Sequence, residues 1–261
     1  MLLAAALTAA ALSPAATAHN VAVSLANAGP RPAGSVRERR AHDRMARRFA
    51  RAGLAVRRQR FTVPGHGRSR NVIGVRVGRA DCLRVLMAHA DTVPPSPGAD
   101  DNASGLGLLA ALAPRLAELD PACEVWLVAT GAEERIYTGQ PDHLGALALT
   151  RIVPRKRLRY ALSLDEVGRG TRFTLRSPVA AARKRVEGEL LTAARRAEVD
   201  VTWVADSGTG NSDHREFELA GLRGVKLSVP EEPVRHTAAD TPDRLRRGAF
   251  RRVLRVVEES L

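Results

Sequence analysis

Aromatic side chains are scarce: Phe, Tyr and Trp make up 3% of 261 residues, against 44% hydrophobic residues overall. The core must therefore be filled by Ala, Val and Leu, which suits helices packed closely on a parallel sheet. The same scarcity bears on the charge. The formal net charge is +13, and Lys156, Lys184 and Lys226 are the only lysines among 41 basic residues. Such a balance raises nucleic-acid or anionic-surface binding as a function class. The basic residues are scattered, however, as in Arg37–Arg40, Arg47–Arg51, Arg155–Arg159 and Arg244–Arg252. No aromatic residues are interleaved to stack bases, so nucleic acid is set aside as a partner. The excess of Arg then reads as a compositional preference.

Cysteine is nearly absent too. Cys82 and Cys123 have neither the spacing nor the partner His of a nucleophile or a metal thiolate. Each opens an apolar, strand-like run. If those strands are parallel neighbours, the two sulfurs share one sheet edge, and a disulfide and two buried thiols stand as equal alternatives. No internal repeat or low-complexity tract is visible. The N-terminal apolar run, Leu2 to Leu12, is too short for a comfortable membrane span, so no stable membrane insertion is expected. With Pro14 and the small-x-small triplet Ala16-Thr17-Ala18 it resembles a secretory signal peptide over residues 1–18, although no basic residue precedes it. A buried Ala-rich helix is the competing reading. The signal-peptide reading places the protein outside the cell or in the cell envelope. Pro30-Arg31-Pro32 suggests a linker over 19–34, followed by one domain over 35–261.

Ser35 is placed to cap a helix bearing Val36, Met45, Phe49 and Leu54 on its apolar positions. VRRQRFTV and NVIGVRVG alternate around a turn-rich PGHGRSR and read as a half-exposed antiparallel pair. CLRVLMAHA, CEVWLVAT, RYALSLDEV and GVKLSVP are apolar strand candidates. Helical stretches lie between them, at ASGLGLLAALAPRLAEL, His143–Thr150, Ala180–Ala197 and Asp213–Ala220, with a terminal helix over Pro242–Leu261. Pro114 is expected to kink or split the first of these. The alternation implies an α/β fold: one mixed, mostly parallel sheet with helices on both faces. Ligands gather beyond the carboxyl ends of such strands.

The residues able to bind metal fall at those ends. His89 closes one strand and stands two residues from Asp91, a carboxylate able to orient its imidazole. Asp101, in the turn Gly98-Ala99-Asp100-Asp101-Asn102-Ala103-Ser104-Gly105, is a candidate bridge between two cations, whereas Asp100 is expected to point elsewhere. Glu133 and Glu134 follow CEVWLVAT, and adjacent acids after an apolar run are costly unless something positive binds there. Their side chains diverge, which assigns Glu134 to metal and Glu133 to proton transfer. Asp165 ends a third strand, and His236 supplies the last imidazole, with Asp240 as an anchor for its loop. Ser212-Asp213-His214 either lines the site or supplies Ser212 as a helix cap, the cap being slightly favoured.

His89-x-Asp91, GADDNASG, Glu133-Glu134, the Asp165 strand end, SDH and HTAADTPD resemble, in that order, the pattern of the co-catalytic di-zinc aminopeptidase family. That family includes bacterial leucyl-type aminopeptidases, glutamate carboxypeptidase II and glutaminyl cyclases. The resemblance covers residues 35 to 261. It implies two zinc ions, one held by His89 and Asp165 and the other by Glu134 and His236, with Asp101 bridging and Glu133 as general base. It also implies peptide or aminoacyl substrates and release of N-terminal amino acids. Cyclisation of N-terminal Gln on a single zinc, or hydrolysis of another amide, is the alternative. The length leaves a monomer open. Two places depart from the family pattern. Arg135–Gln140 stands where Gly-Leu and small residues are usual, and Glu166-Val167 follows the third acid in place of Met or a similar apolar residue.

Overall fold

The apolar runs become one eight-stranded sheet in the computed structural model, which describes residues 12–261. The strands are β1 (Ala55–Val63), β2 (Gly67–Arg76), β3 (Ala80–His89), β4 (Cys123–Thr130), β5 (Leu158–Leu164), β6 (Arg172–Ser177), β7 (Asp200–Ala205) and β8 (Gly224–Ser228). Their order across the sheet is β1-β2-β4-β3-β5-β8-β6-β7. The pairs β4/β3, β3/β5, β5/β8 and β6/β7 are parallel, and the other three are antiparallel. The fold is thus the expected mixed, mostly parallel α/β sheet. The helices are α1 (Pro14–Ala26), α2 (Val36–Arg51), α3 (Gly105–Leu119), α4 (Arg135–Thr138), α5 (Leu144–Thr150), α6 (Glu187–Arg196), α7 (His214–Leu219) and α8 (Arg247–Glu259).

Side chains that alternate along each strand feed two cores. Leu86, Ala88, Val125, Leu127 and Leu162 pack with residues of α1, α2, α3, α6 and α8. Val85, Met87, Trp126, Val128 and Ala161 pack with Ala146, Leu149 and Phe217 of α5 and α7 on the other face. Ser35 caps α2 as expected, its hydroxyl accepting from Glu38 N. Strands β6 and β7 went unrecognised in the sequence. Each has six residues, and β7 is only partly buried on either face, so neither shows a clean apolar period.

The linker expected over residues 19–34 is not there. Residues 14–26 form α1, with Pro14 in its first turn and Ser13 accepting from Ala16 N. Ala16, Ala18, Val21, Ala22, Leu25 and Ala26 are buried. Small side chains let α1 lie almost against α3: a Cβ added at Gly107 would come 2.3 Å from the Ala18 carbonyl oxygen. Residues 1–11 of the expected signal peptide lie outside the described residues. Pro114 does not split α3 either; the helix runs continuously from Gly105 to Leu119. Ala110, Ala111, Leu112, Ala113 and Leu116 are buried there, and this packing outweighs the one missing backbone donor.

The two cysteines are joined. Strands β3 and β4 are parallel neighbours, and Cys82 and Cys123 form a disulfide across them with Cα atoms 4.7 Å apart. It closes a separation of 41 residues. In the chain-entropy model such a cross-link stabilises by about 4 kcal/mol.

Candidate metal centre

The sheet order explains why distant residues meet. β3 lies between β4 and β5, with β8 beyond, and all four run parallel. Their carboxyl ends therefore open on one rim, where the chain leaves β3 through α3 for β4 and leaves β4 through α5 for β5 on the other side of β3. His89 is the last residue of β3, Glu133 and Glu134 follow β4, Asp165 follows β5, and His236 follows β8.

Asp101 sits at the centre. One of its oxygens, Oδ1, lies 3.0 Å from His89 Nε2, and Oδ2 lies 3.3 Å from His236 Nε2. His89 Nε2 is also 3.5 Å from Asp165 Oδ1, and His236 Nε2 is 2.9 Å from Glu134 Oε2. The five residues read as ligands are thus gathered in one cluster, with Asp101 facing both imidazoles. Two sets of donor atoms lie within 4.8 Å of one another: His89, Glu133 and Asp165, and His89, Asp101 and Glu134. Together with Arg135, Ile136, His143, Gly210 and Arg235 these residues line a cavity of about 400 Å³.

Two further carboxylates hold the backbone beneath. Asp91 accepts from Glu133 N at 3.1 Å and Glu134 N at 3.0 Å. Asp240 accepts from Asp100 N at 2.8 Å and Asp101 N at 3.1 Å. Each thus fixes two successive N–H groups of a loop that carries candidate ligands. This refines the expectation for Asp91. The His89 ring contacts the backbone carbonyl of Asp91 at 3.2 Å through Nδ1, while the Asp91 carboxylate is 3.8 Å away. Asp100 turns aside, as expected, and accepts from Gly168 N at 2.6 Å.

Ser212 does not cap α7. Its hydroxyl donates to Asp165 Oδ2 at 2.7 Å, so the third acid is oriented by a side chain from the SDH segment. Lys226 Nζ lies 2.8 Å from the same oxygen and 3.3 Å from Glu166 Oε2. A charged residue inside the apolar run GVKLS was a legible signal for Lys226. Arg31 carried no such signal, because Pro30-Arg31-Pro32 looks like a linker. Its guanidinium is buried and donates to the carbonyls of Ala90, Pro97 and Gly98, just before Asp91 and just before the Asp101 turn. Glu38, at the start of α2, accepts from Ala132 N and from the Ser69 hydroxyl and so braces the loop after β4.

The acids of the cluster are not shifted alike: against burial, His236 and His89 hold Asp101, and Lys226 and His89 hold Asp165, below the ordinary carboxylate range, whereas the two glutamates are pushed up. Burial, and then the nearby Asp101, push the Glu134 carboxyl up to about 7. Burial, with Glu134 and Asp165 beside it, raises Glu133 well above the usual carboxylate range. Burial alone would lower both imidazoles. Hydrogen bonds that His236 donates to Asp101 and Glu134 outweigh it and bring His236 up to about 10, while Glu133, Asp101 and Asp165 hold His89 well above its ordinary value. Glu134 Oε1 and Asp165 Oδ1 are buried without any hydrogen-bond partner. Orphaned carboxylate oxygens beside two imidazoles are the donor set that divalent zinc takes, so the residues fit the metal.

Comparison with known proteins agrees with the fold. Residues 71–261 match the profile of Peptidase family M28. The chain is 29% identical over 186 residues to aminopeptidase YwaD of Bacillus subtilis (strain 168), which covers 66% of this chain and 40% of that protein. It therefore spans less than half the length of this relative. Among solved structures, a zinc aminopeptidase from Bacillus subtilis superposes with a TM-score of 0.84 at 18% identity, covering 94% of each chain. Tannerella forsythia glutaminyl cyclase superposes with a TM-score of 0.78 at 24% identity, covering 93% of this chain and 96% of that one. At such identities the likeness is one of fold.

Proposed function

Because the chain belongs to peptidase family M28, we propose that it is a zinc-dependent exopeptidase releasing N-terminal amino acids from peptides. One observation carries the reading: Asp101 presents one oxygen to each of two imidazoles, as a carboxylate shared by two cations must. We assign His89 and Asp165 to one ion, Glu134 and His236 to the other, and Asp101 to both. When bound, two zinc ions would acidify a water between them and polarise the scissile carbonyl.

The remaining work falls to the protein. Glu133 takes a proton from the attacking water and returns it to the leaving amine. Asp91 keeps Glu133 and Glu134 in register through their backbone N–H groups. Ser212 and Lys226 fix the rotamer of Asp165. The cavity has the size of a small-molecule site, which supports removal of a terminal residue over cleavage within a long chain. Arg135, Ile136 and Arg235 line it and are placed to meet the substrate side chain.

Metal quantification beside a screen of aminoacyl amides tests the reading. The expected result is two ions per chain and release of free amino acids. One ion, with ammonia released from N-terminal Gln, would transfer the chain to the cyclase reading. Carboxylate-rich sites also accept Mn or Co, so the assay is run with each metal.

We further infer export. The Cys82–Cys123 disulfide supports it, since such bonds persist in oxidising compartments. Cleavage after Ala18 would cut α1 and remove Ala16 and Ala18 from the core, so processing compatible with the fold falls before Pro14. N-terminal sequencing of secreted protein reads the position. A mature chain starting at His19, or retention in the cytoplasm, would overturn this.

A further inference from the structure

His143 forms part of the wall of the metal cavity and is 4% exposed. It holds φ at 43°, a left-handed conformation that side-chain-bearing residues rarely adopt. Its side chain makes no cap to α5, the helix that it precedes. Both ring nitrogens instead face carboxylates. Nδ1 is 3.2 Å from Glu216 Oε1, and Nε2 is 3.4 Å from Glu133 Oε1. Glu216 is held in turn by the Arg215 guanidinium. The imidazole is thus pinned from behind by α7 and presents its free edge to Glu133.

The backbone is tied to the same place. Leu144 N donates to the Ala132 carbonyl at 2.9 Å and Gly145 N to the Gly131 carbonyl at 3.0 Å. The left-handed turn at His143 is what lets the chain make these bonds and still aim the ring back across the loop after β4. The segment leading to it, Arg135–Gln140, is where the sequence departs from the family pattern.

We propose that His143 is a positioning residue for Glu133: it holds one carboxylate oxygen so that the other faces the attacking water. With Nδ1 hydrogen-bonded to Glu216, the ring has one fixed orientation, and its Nε2 edge limits where Glu133 Oε1 can sit. Misplacement of a catalytic group by about 1 Å costs on the order of 100-fold in rate, so a residue of this kind acts on kcat without touching substrate. The inference rests on Glu133 being the general base.

His143→Gly is the test, because Gly adopts φ 43° without strain and leaves the backbone path intact. The expected result is a kcat lower by about 10- to 100-fold, with KM altered less than about twofold. Zinc content stays at the wild-type value. Added imidazole restores much of the lost kcat, judged against wild-type enzyme in the same imidazole. Glu216→Gln, which loosens the pin, lowers kcat in the same direction by less. A kcat within twofold of wild type overturns the proposal, as does a loss that imidazole leaves untouched. A wild-type enzyme inactive on every aminoacyl amide and on N-terminal Gln would instead sink the reading of the reaction. The contact is then tested by nitrogen NMR: the Nε2 resonance of His143 moves in Glu133→Gln, and a stationary resonance ends the proposal.

Discussion

Glu133→Gln is expected to leave metal content and fold unchanged while kcat drops by about 100- to 10,000-fold, the range that a positioned proton-transfer group contributes. The change is nearly isosteric, so it removes the base without opening a cavity. The argument for Glu133 over Glu134 is geometric. Glu134 Oε2 is 2.9 Å from His236 Nε2 and so belongs with that imidazole. Glu133 has His143 as its neighbour at 3.4 Å instead. Burial and the adjacent acids raise its affinity for a proton. Glu133 also lies in one of the two sets of donor atoms, with His89 and Asp165. Metal analysis of the variant therefore decides between its two roles. Full occupancy with collapsed turnover supports the base, and loss of one ion makes Glu133 a ligand. Near-normal turnover would remove it from the reaction.

The candidate ligands were legible because each follows an apolar strand, and parallel strands of such sheets deliver their carboxyl ends to one rim. His89, Glu134, Asp165 and His236 needed only that rule. The pairing of residues within the cluster was not legible, since it depends on which oxygen faces which nitrogen. Asp91 shows the limit. Its spacing from His89 suggested a partner for the ring, yet its carboxylate accepts from Glu133 N and Glu134 N, a contact across 42 residues that no local pattern encodes. Residues 14–26 show a different limit. An Ala-rich run ahead of a Pro-Arg-Pro triplet has the composition of a cleaved leader, and only its packing on α3 separates that from a core helix. Arg31 was hidden for the same reason, although its bonds to the Ala90, Pro97 and Gly98 carbonyls tie together the turns that carry Asp91 and Asp101. His143 gave no signal at all, because its place beside Glu133 comes from a backbone turn.

Asp101→Ala is expected to lose metal and, with it, measurable activity. Among the described residues, Asp101 is the one carboxylate whose two oxygens address His89 and His236, at 3.0 and 3.3 Å. Asp240 accepts from its backbone N–H and cannot swing into its place without breaking that bond. Asp100 is committed on the far side, to Gly168 N and Arg169. Glu134 and Asp165 would each retain one imidazole, which leaves two incomplete sites rather than one shared cage. The consequence extends to stability. A ligand that binds only the folded state at about 100 times its dissociation constant adds about 2.7 kcal/mol. For a chain of this length that is roughly 5–10 °C in melting temperature. Chelation should therefore lower the melting temperature of wild-type protein by about that amount and leave the variant unmoved. Full zinc occupancy in Asp101→Ala, or the same chelator shift in both proteins, would show that the two cations are not joined through this residue.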